Sequence, residues 1–331
     1  MIAKERIVPL RLLKMEALLK RLPQNYANRS LIEQELAKRK AGYAGEKASD
    51  YYVNRLPDKE FTIFHDLRLR NGGHFFQLDT LIISSTFALI LEIKNIKGTL
   101  YFDSTFKQLL RMNDSNEEGF LDPLSQAQQQ KNAFRKWLNS MEISIPIDYL
   151  VVISNPSTII KTNEHNFEAL KRVTHAHNIF DKIAHIQKKL NKEVLSFKEI
   201  TKIKRHLLKK HIHQQINILE FYKIRQEDIF TGVQCRNCCA LPMKRQHGTW
   251  YCTICQLKDR TAHQQALIDY LLLFDSPISN QKFRNFLQLS SENIAKKLLR
   301  STNLPNSGSN KRRIYHLSPL LQEYKNNLTE I

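Results

Sequence analysis

With 331 residues, 42% of them hydrophobic, the chain has room for two or three domains and at least one sizeable core. Its 51 Lys and Arg exceed its 32 Asp and Glu by 19, a surplus that points to a polyanionic partner, with nucleic acid ahead of a membrane surface. No apolar run approaches the roughly 18 residues a spanning helix needs, and Lys4, Glu5 and Arg6 interrupt the N-terminus, so a cytoplasmic protein outside the membrane is expected.

Residues 1–29 carry Leu10, Leu13, Leu18, Leu19 and Leu22 at mixed helical spacings up to Pro23, the pattern of an N-terminal docking helix. A longer helical pattern runs from Ser30 to about Asn54, with Gly42 and Gly45 as weak points. Glu46 lies in its second half, where periodicity alone reads it as a solvated surface carboxylate. Phe61 to His65 is a short strand. It leads into His74 to Gly98, two apolar runs that meet at Ser84-Ser85-Thr86 and read as a β-hairpin. A loop of two or four residues centred on Ser85 and Thr86 sets Asp79 opposite Glu92, with Cβ atoms about 4.5–5.5 Å apart. Lys94, two residues on, shares the Glu92 face. Facing carboxylates in a buried sheet are costly, and a divalent cation between them resolves the conflict.

Asn95 to Asp103 and Phe106 to Met112 are further extended segments, separated from the next helix by a polar loop at 114–119. Asp122-Pro123 starts a helix over Leu124 to Leu138, where Gln126 and Gln130 share a face. Tyr149 to Ile153 is a short buried strand, completing an α/β core with a mixed sheet. From Lys182 to Arg225, twelve basic residues stand against three acidic, with Leu190, Val194, Phe197, Ile200, Ile203, Leu207 and Leu208 marking an amphipathic face. This stretch reads as a helical bridge whose positive face is either merely solvated or a nucleic-acid contact. His211 and His213, two apart on a helix, are expected to point to different sides.

All five cysteines fall between Cys235 and Cys255. Cys235 and Cys238, then Cys252 and Cys255, form two CxxC pairs suited to a closed, structural Zn²⁺ site; a thioredoxin-like redox pair is the alternative. Cys239 is read as a filler. Helices are expected over Ala262 to Phe274, Asn280 to Leu287 and Ser291 to Ser301, the last capped by Ser290 with Ile294 and Leu298 inward. A turn-rich tip at Pro305 to Asn310 then leads to a strand opened by Lys311, Arg312 and Arg313. Three helices and a terminal hairpin describe a winged-helix-like region, with Lys296, Lys297, Arg300, Lys311, Arg312 and Arg313 placed to meet DNA. A small helical oligomerisation module is the alternative.

Gly45-Glu46 on a helix, Phe76-Gln77-Leu78-Asp79 on a strand, Glu92-Ile93-Lys94-Asn95 on the next and Asp122-Pro123-Leu124-Ser125-Gln126 before a helix resemble the nuclease-related domain (NERD) of bacterial proteins. That family is itself similar to the PD-(D/E)xK nuclease fold, and the likeness covers roughly residues 38–155. It implies that Asp79 and Glu92 bind Mg²⁺ or Mn²⁺, that Lys94 is the catalytic lysine, that Glu46 adds a further acidic group and that Gln126 contributes from its helix. Ile96 departs from the aromatic that often follows Lys-Asn, and Asp122 replaces the usual Asn before Pro123. The expected fold is therefore α/β, a restriction-endonuclease-like mixed sheet flanked by helices over 30–180. A basic helical bridge (181–231), a zinc ribbon (232–260) and a winged-helix-like domain (261–331) follow. The expected function is metal-dependent cleavage of DNA. A non-catalytic DNA-binding or scaffold protein of DNA processing, working with protein partners around a degenerate core, is the alternative.

Overall fold

A computed structural model describes residues 1–113, 116–274, 277–309 and 312–329, with side chains as far as Lys325. In chain order the first part holds β1 (Ile2–Lys4), α1 (Leu10–Arg21), α2 (Arg29–Val53), β2 (Thr62–Asn71), β3 (His74–Ile83), β4 (Ala88–Lys94), β5 (Thr99–Asp103), β6 (Gln108–Asn113) and β7 (Asn116–Leu121). Then come α3 (Pro123–Asn139), β8 (Ile147–Ile153), β9 (Ile159–Thr162), α4 (Phe167–Arg172), β10 (Val173–His175), α5 (Ile179–Lys189), α6 (Phe197–Lys210) and α7 (Ile218–Phe221). The remainder comprises β11 (Lys244–Gln246), β12 (Thr249–Tyr251), β13 (Lys258–Asp259), α8 (His263–Phe274), β14 (Ile278–Ser279), α9 (Asn280–Leu287), α10 (Glu292–Ser301), β15 (Asn306–Ser307), β16 (Ile314–Tyr315) and α11 (Ser318–Thr329). Contacts divide these elements into one unit of Met1–Ile7 with Arg39–Gln214 and another of Val8–Lys38 with Gln215–Ile331.

The first unit is built on a six-stranded mixed sheet ordered β1-β2-β3-β4-β8-β10. The β3–β4 hairpin pairs Thr80 with Leu91 and Ile83 with Ala88, the register that the Ser85–Thr86 turn predicts. Ser84 closes that turn, its N–H donating to the Phe87 carbonyl at 2.9 Å. Strand β8 then adds parallel to β4, matching Glu92 with Val151 and Lys94 with Ile153. Alternation divides the apolar side chains between two cores. Ile90, Val151 and Ile153 pack with Phe134 and Leu138 of α3 and with Leu100 and Phe102 of a second sheet, β7-β6-β5-β9. Leu89, Leu91, Ile93 and Val152 pack on the other face with Val53, Ile179 and Ile183. By parity, Glu92 and Lys94 fall on the α3 side.

Several elements differ from the sequence expectation. The N-terminal stretch contains β1 ahead of its helix, pairing parallel to β2 at the sheet edge. A three-residue strand is too short for periodicity to reveal it. Strand β2 runs ten residues, not five, because it continues through a kink at Asp66 (φ 49°). The expected polar loop at 114–119 is strand β7 from Asn116 onward; Asp114 and Ser115 lie outside the described residues. As the last strand of its sheet it half-buries Phe120 alone, so Glu117 and Glu118 tolerate an exposed ladder, and Glu118 pairs with Arg111 opposite. In α6 only part of the amphipathic face is used: Ile203 and Leu207 enter the core while Phe197 stays 83% exposed. Because α6 ends at Lys210, His211 and His213 follow no helical phase. Their rings meet at 4.6 Å, and His211 Nδ1 accepts the Arg68 N–H at 3.2 Å.

In the second unit, β11-β12-β13 form a small antiparallel sheet beside the cysteines, and α8, α9 and α10 pack with a sheet ordered β14-β16-β15. Trp250, Leu267, Phe283, Leu299 and Leu317 share its core. The buried Arg21 of α1 donates to Asp269 of α8 at 2.9 Å. Ser291, not Ser290, caps α10 by accepting the Ile294 N–H at 3.3 Å. Ile294, expected inward, is 40% exposed at the helix start, and the inner face belongs to Ala295, Leu298 and Leu299.

Candidate functional site

The open end of the β3–β4 ladder carries the acidic residues that the sequence places there. The ladder's last pair is Thr80 with Leu91, and one step further the Ile93 N–H donates to Asp79 Oδ2 at 2.9 Å. Glu92, 1% exposed, is held from both sides. Lys94 Nζ donates to its Oε1 at 2.6 Å, and Gln130 Nε2 donates to its Oε2, also at 2.6 Å. Lys94 Nζ reaches Gln126 Oε1 at 3.0 Å as well. The two glutamines point the same way because they are one helical turn apart on α3. Asp122 starts that helix by accepting the Leu124 and Ser125 N–H groups at 3.1 and 2.9 Å.

Glu46 approaches from α2, which packs close against the ends of β4 and β8. A Cβ at Gly45 would stand 2.3 Å from Asn95 Cβ and 2.5 Å from Ser154 Oγ. Glu46 is met by Arg6, a residue that the sequence reading leaves out of the site. Besides Glu46 Oε2, the Arg6 guanidinium donates to Asp50 Oδ2 at 2.7 Å, to the Asp79 carbonyl at 2.8 Å and to Thr80 Oγ1 at 3.1 Å. Asp50 also takes His65 Nδ1 at 3.1 Å. Glu46 and Asp50 are four residues apart on one helix, so their shared face was readable. Nothing in the pattern around Arg6 announced that it would turn inward.

The charges interact strongly. Burial pushes the Glu46 carboxyl up to about 7, with Asp66, Asp50 and Glu92 adding to the rise and Arg6 opposing it. Asp79 is raised well above the usual carboxylate range by burial and then by Glu92 and Glu46, against the Ile93 N–H and Lys94. Its carboxyl group is enclosed even though the residue as a whole keeps some surface. For Asp50, hydrogen bonds from His65 and Arg6 outweigh burial and hold it below the usual range. Mutually repelling carboxyl groups are what a bound cation would relieve. The enclosed, unpartnered Gln130 Oε1 beside Glu92 is a further sign that the cluster has capacity for a ligand or water. Oxygen donors of this kind fit Mg²⁺ or Mn²⁺. Glu46, Asp79 and Glu92 do not close on one point, however: among the described residues, the cysteines alone form a set of three or more metal-type ligands with all donor atoms within 4.8 Å.

That cysteine set is Cys235, Cys238, Cys252 and Cys255. Cys235 and Cys255 sulfurs are 3.5 Å apart, and those of Cys238 and Cys252 3.4 Å apart. A tetrahedral Zn²⁺ with Zn–S near 2.3 Å needs sulfurs about 3.8 Å apart, so the four thiols fit it. The Asn237 side chain and the Leu257 N–H hold the Cys255 thiol down to about 6, while Cys238, against the Ala240 backbone bond, is pushed up to about 12 by burial and hydrogen bonds with the other three thiols. Cys239, exposed and at φ 59°, stands outside the set.

The basic residues expected to meet DNA are exposed on α10 (Lys296, Lys297 and Arg300), with Arg312 exposed and Arg313 half-buried ahead of β16. Lys311 lies outside the described residues. No helix among the described residues is long and apolar enough to cross a membrane.

A mixed sheet flanked by helices, with paired carboxylates and a lysine on neighbouring central strands, defines a nuclease-like α/β domain. Residues 41–154 match the family model described as Nuclease-related domain, and the chain carries that domain. No curated protein matches the chain. A solved structure, that of protein VC1899 from Vibrio cholerae, aligns at 11% identity with a TM-score of 0.25, over 55% of this chain and 50% of that one. The chain thus spans about half the length of that protein.

Proposed function

We propose that the chain is a metal-dependent nuclease that cuts phosphodiester bonds of DNA, with Asp79 and Glu92 as ligands for Mg²⁺ or Mn²⁺. The observation that carries this reading is the Asp79–Glu92–Lys94 grouping on β3 and β4, in a segment matching the nuclease-related family. When bound, the divalent ion would acidify a water and neutralise charge on the scissile phosphate. Lys94, 25% exposed at its side chain, presents a cation to the same place and orients the attacking water or the phosphate oxygen. Gln126 keeps the Lys94 ammonium aimed, and Gln130 fixes Glu92. Glu46, held by Arg6, adds negative charge beside Asp79 and strengthens the hold on a cation.

The same reading assigns a structural Zn²⁺ to the four cysteines and a winged-helix-like DNA contact to 261–331, where the order α8-β14-α9-α10-β15-β16 supports it. In that organisation 1–29 docks, 30–180 is the nuclease-like domain, 181–231 bridges to the zinc ribbon at 232–260, and the protein works in the cytoplasm. Purified chain with Mg²⁺ or Mn²⁺ is expected to cut or nick DNA, whereas Asp79→Ala is expected to be inert. Equal cleavage by both proteins would assign the activity to a contaminant.

A second reading has its own observation. Glu92 is already engaged by Lys94 and Gln130, and Glu46 by Arg6, an internally satisfied network of the kind a non-catalytic DNA-binding or scaffold protein would keep. Under that reading DNA binding is strongly salt-dependent and no strand is cut under any metal.

A further inference from the structure

A cleft in the second unit gathers four cationic side chains from α9, α10 and the segment ahead of β16. Helical periodicity puts Glu292, Lys296 and Arg300 on one stripe of α10, each four residues from the next. Asn280 and Arg284, also four apart, face the cleft from α9, and Arg313 enters from just ahead of β16. Together they line a cavity of about 380 Å³, inside the roughly 300–1,000 Å³ range of small-ligand sites.

The cleft is held in shape from within. Asn280 Nδ2 donates to the Glu292 carbonyl at 3.3 Å, tying the start of α9 to the start of α10. Arg284 Nη1 donates to the Ser290 carbonyl at 3.4 Å. Two donors are left over: among the described residues, Nε of Arg284 and Nε of Arg313 are enclosed without a hydrogen-bond partner, as is the acceptor Asn280 Oδ1. Among the described residues, four cationic side chains therefore surround one cavity against a single carboxylate, with buried N–H groups to spare. Both features are unfavourable in an empty site, and both are relieved by a compact dianion rich in acceptor oxygens. Arginine forks match phosphate oxygens in pairs, which a lysine-lined surface would not do.

We propose that this cleft is a phosphoryl-binding pocket, taking the phosphate group of a nucleotide carried either on a DNA strand or free in solution. Exposed Lys297 on α10 and Arg312 ahead of β16 do not line it, and exposed basic residues of that kind suffice for contact along a duplex backbone. The concave site instead grips one phosphate group. The choice of a DNA strand as carrier rests on the proposed function, while the phosphate chemistry rests on the cleft alone.

The test uses the full chain without added Mg²⁺, so that binding is read apart from cleavage. Affinity for a short fluorescent duplex is measured across a salt series, and affinity for AMP and inorganic phosphate by calorimetry, in wild type, Arg284→Gln, Arg284→Lys and Lys282→Gln. Lys282 is exposed on α9 and does not line the cleft. Arg284→Gln is expected to weaken binding of the phosphate-bearing ligand about tenfold or more, and Arg284→Lys to recover part of that loss. Lys282→Gln is expected to change it by about twofold or less. A loss seen with the duplex, together with a salt slope lower by about 1, assigns the carrier to a strand. A loss seen with AMP alone assigns it to a free nucleotide. Arg284→Gln binding the duplex, AMP and phosphate as wild type does, or losing no more than Lys282→Gln, overturns the pocket. Failure of wild type to cleave DNA with metal bears only on the nuclease reading, since no arm of this experiment depends on cleavage.

Discussion

At Arg6 a single guanidinium reaches Glu46, both oxygens of Asp50, the Asp79 carbonyl and the Thr80 hydroxyl. Removing one partner of a buried charge network leaves the others uncompensated, which typically costs about 3–5 kcal/mol. Arg6→Ala is therefore expected to lower unfolding stability by that amount in denaturant titration, and a loss below about 1 kcal/mol would contradict the network. His263 offers a pH-dependent readout in the other unit. It is 4% exposed, accepts Trp250 Nε1 at 3.3 Å, and is lowered to about 4 by burial and by Arg245. The folded protein thus refuses a proton that the unfolded chain, with a histidine pKa near 6.5, accepts. Stability from this group is full above pH 7 and is lost as pH falls toward 4, by about 2 kcal/mol between pH 7 and pH 5. In His263→Gln that component of the pH dependence should vanish. Parallel stability curves for the two proteins would refute the assignment.

At the scale of elements, α2 makes a prediction from its two glycines. Gly42 has open space where a Cβ would stand, so Gly42→Ala is expected to stabilise the helix by roughly 0.5–1 kcal/mol. Gly45→Ala forces the helix off Asn95 and Ser154, and a cost of about 1–3 kcal/mol is expected. Thermal melts of the two variants should move in opposite directions, and a common direction would mean that α2 packs otherwise. The hairpin was the most legible element, because the run lengths, the serine turn and the placement of Asp79 and Glu92 all agree on one register. Strands β1 and β10 were not, since three residues carry no usable period and their pairing depends on partners distant in sequence. Strand β7 was hidden for a different reason: an exposed edge needs no apolar alternation, so composition mimicked a loop. The α10 cap slipped by one residue because Ser290 and Ser291 are equivalent by type, and only the turn geometry distinguishes them.

Across the whole molecule, Asp79, Glu92, Lys94 and the cysteine pairs were readable because their chemistry constrains spacing, whereas Glu46 entered the expected site only through the family resemblance. Arg6 and His65 escaped because each reaches the site through the tertiary fold, by β1 joining the sheet edge and by the kinked β2; the face of Gln130 was legible but its bond to Glu92 was not. The four-cysteine cluster predicts about one Zn²⁺ per chain, and chelation should lower thermal stability and expose the thiols to titration. Metal-free preparations as stable as untreated protein would contradict that. Cleavage should be assayed on labelled linear, nicked, branched and single-stranded DNA with Mg²⁺ or Mn²⁺, comparing wild type with Asp79→Ala and Lys94→Ala. Metal-dependent cutting of at least one substrate by wild type, and none by either variant, is expected. No cutting of any substrate by wild type, or equal cutting by all three, would contradict the nuclease reading.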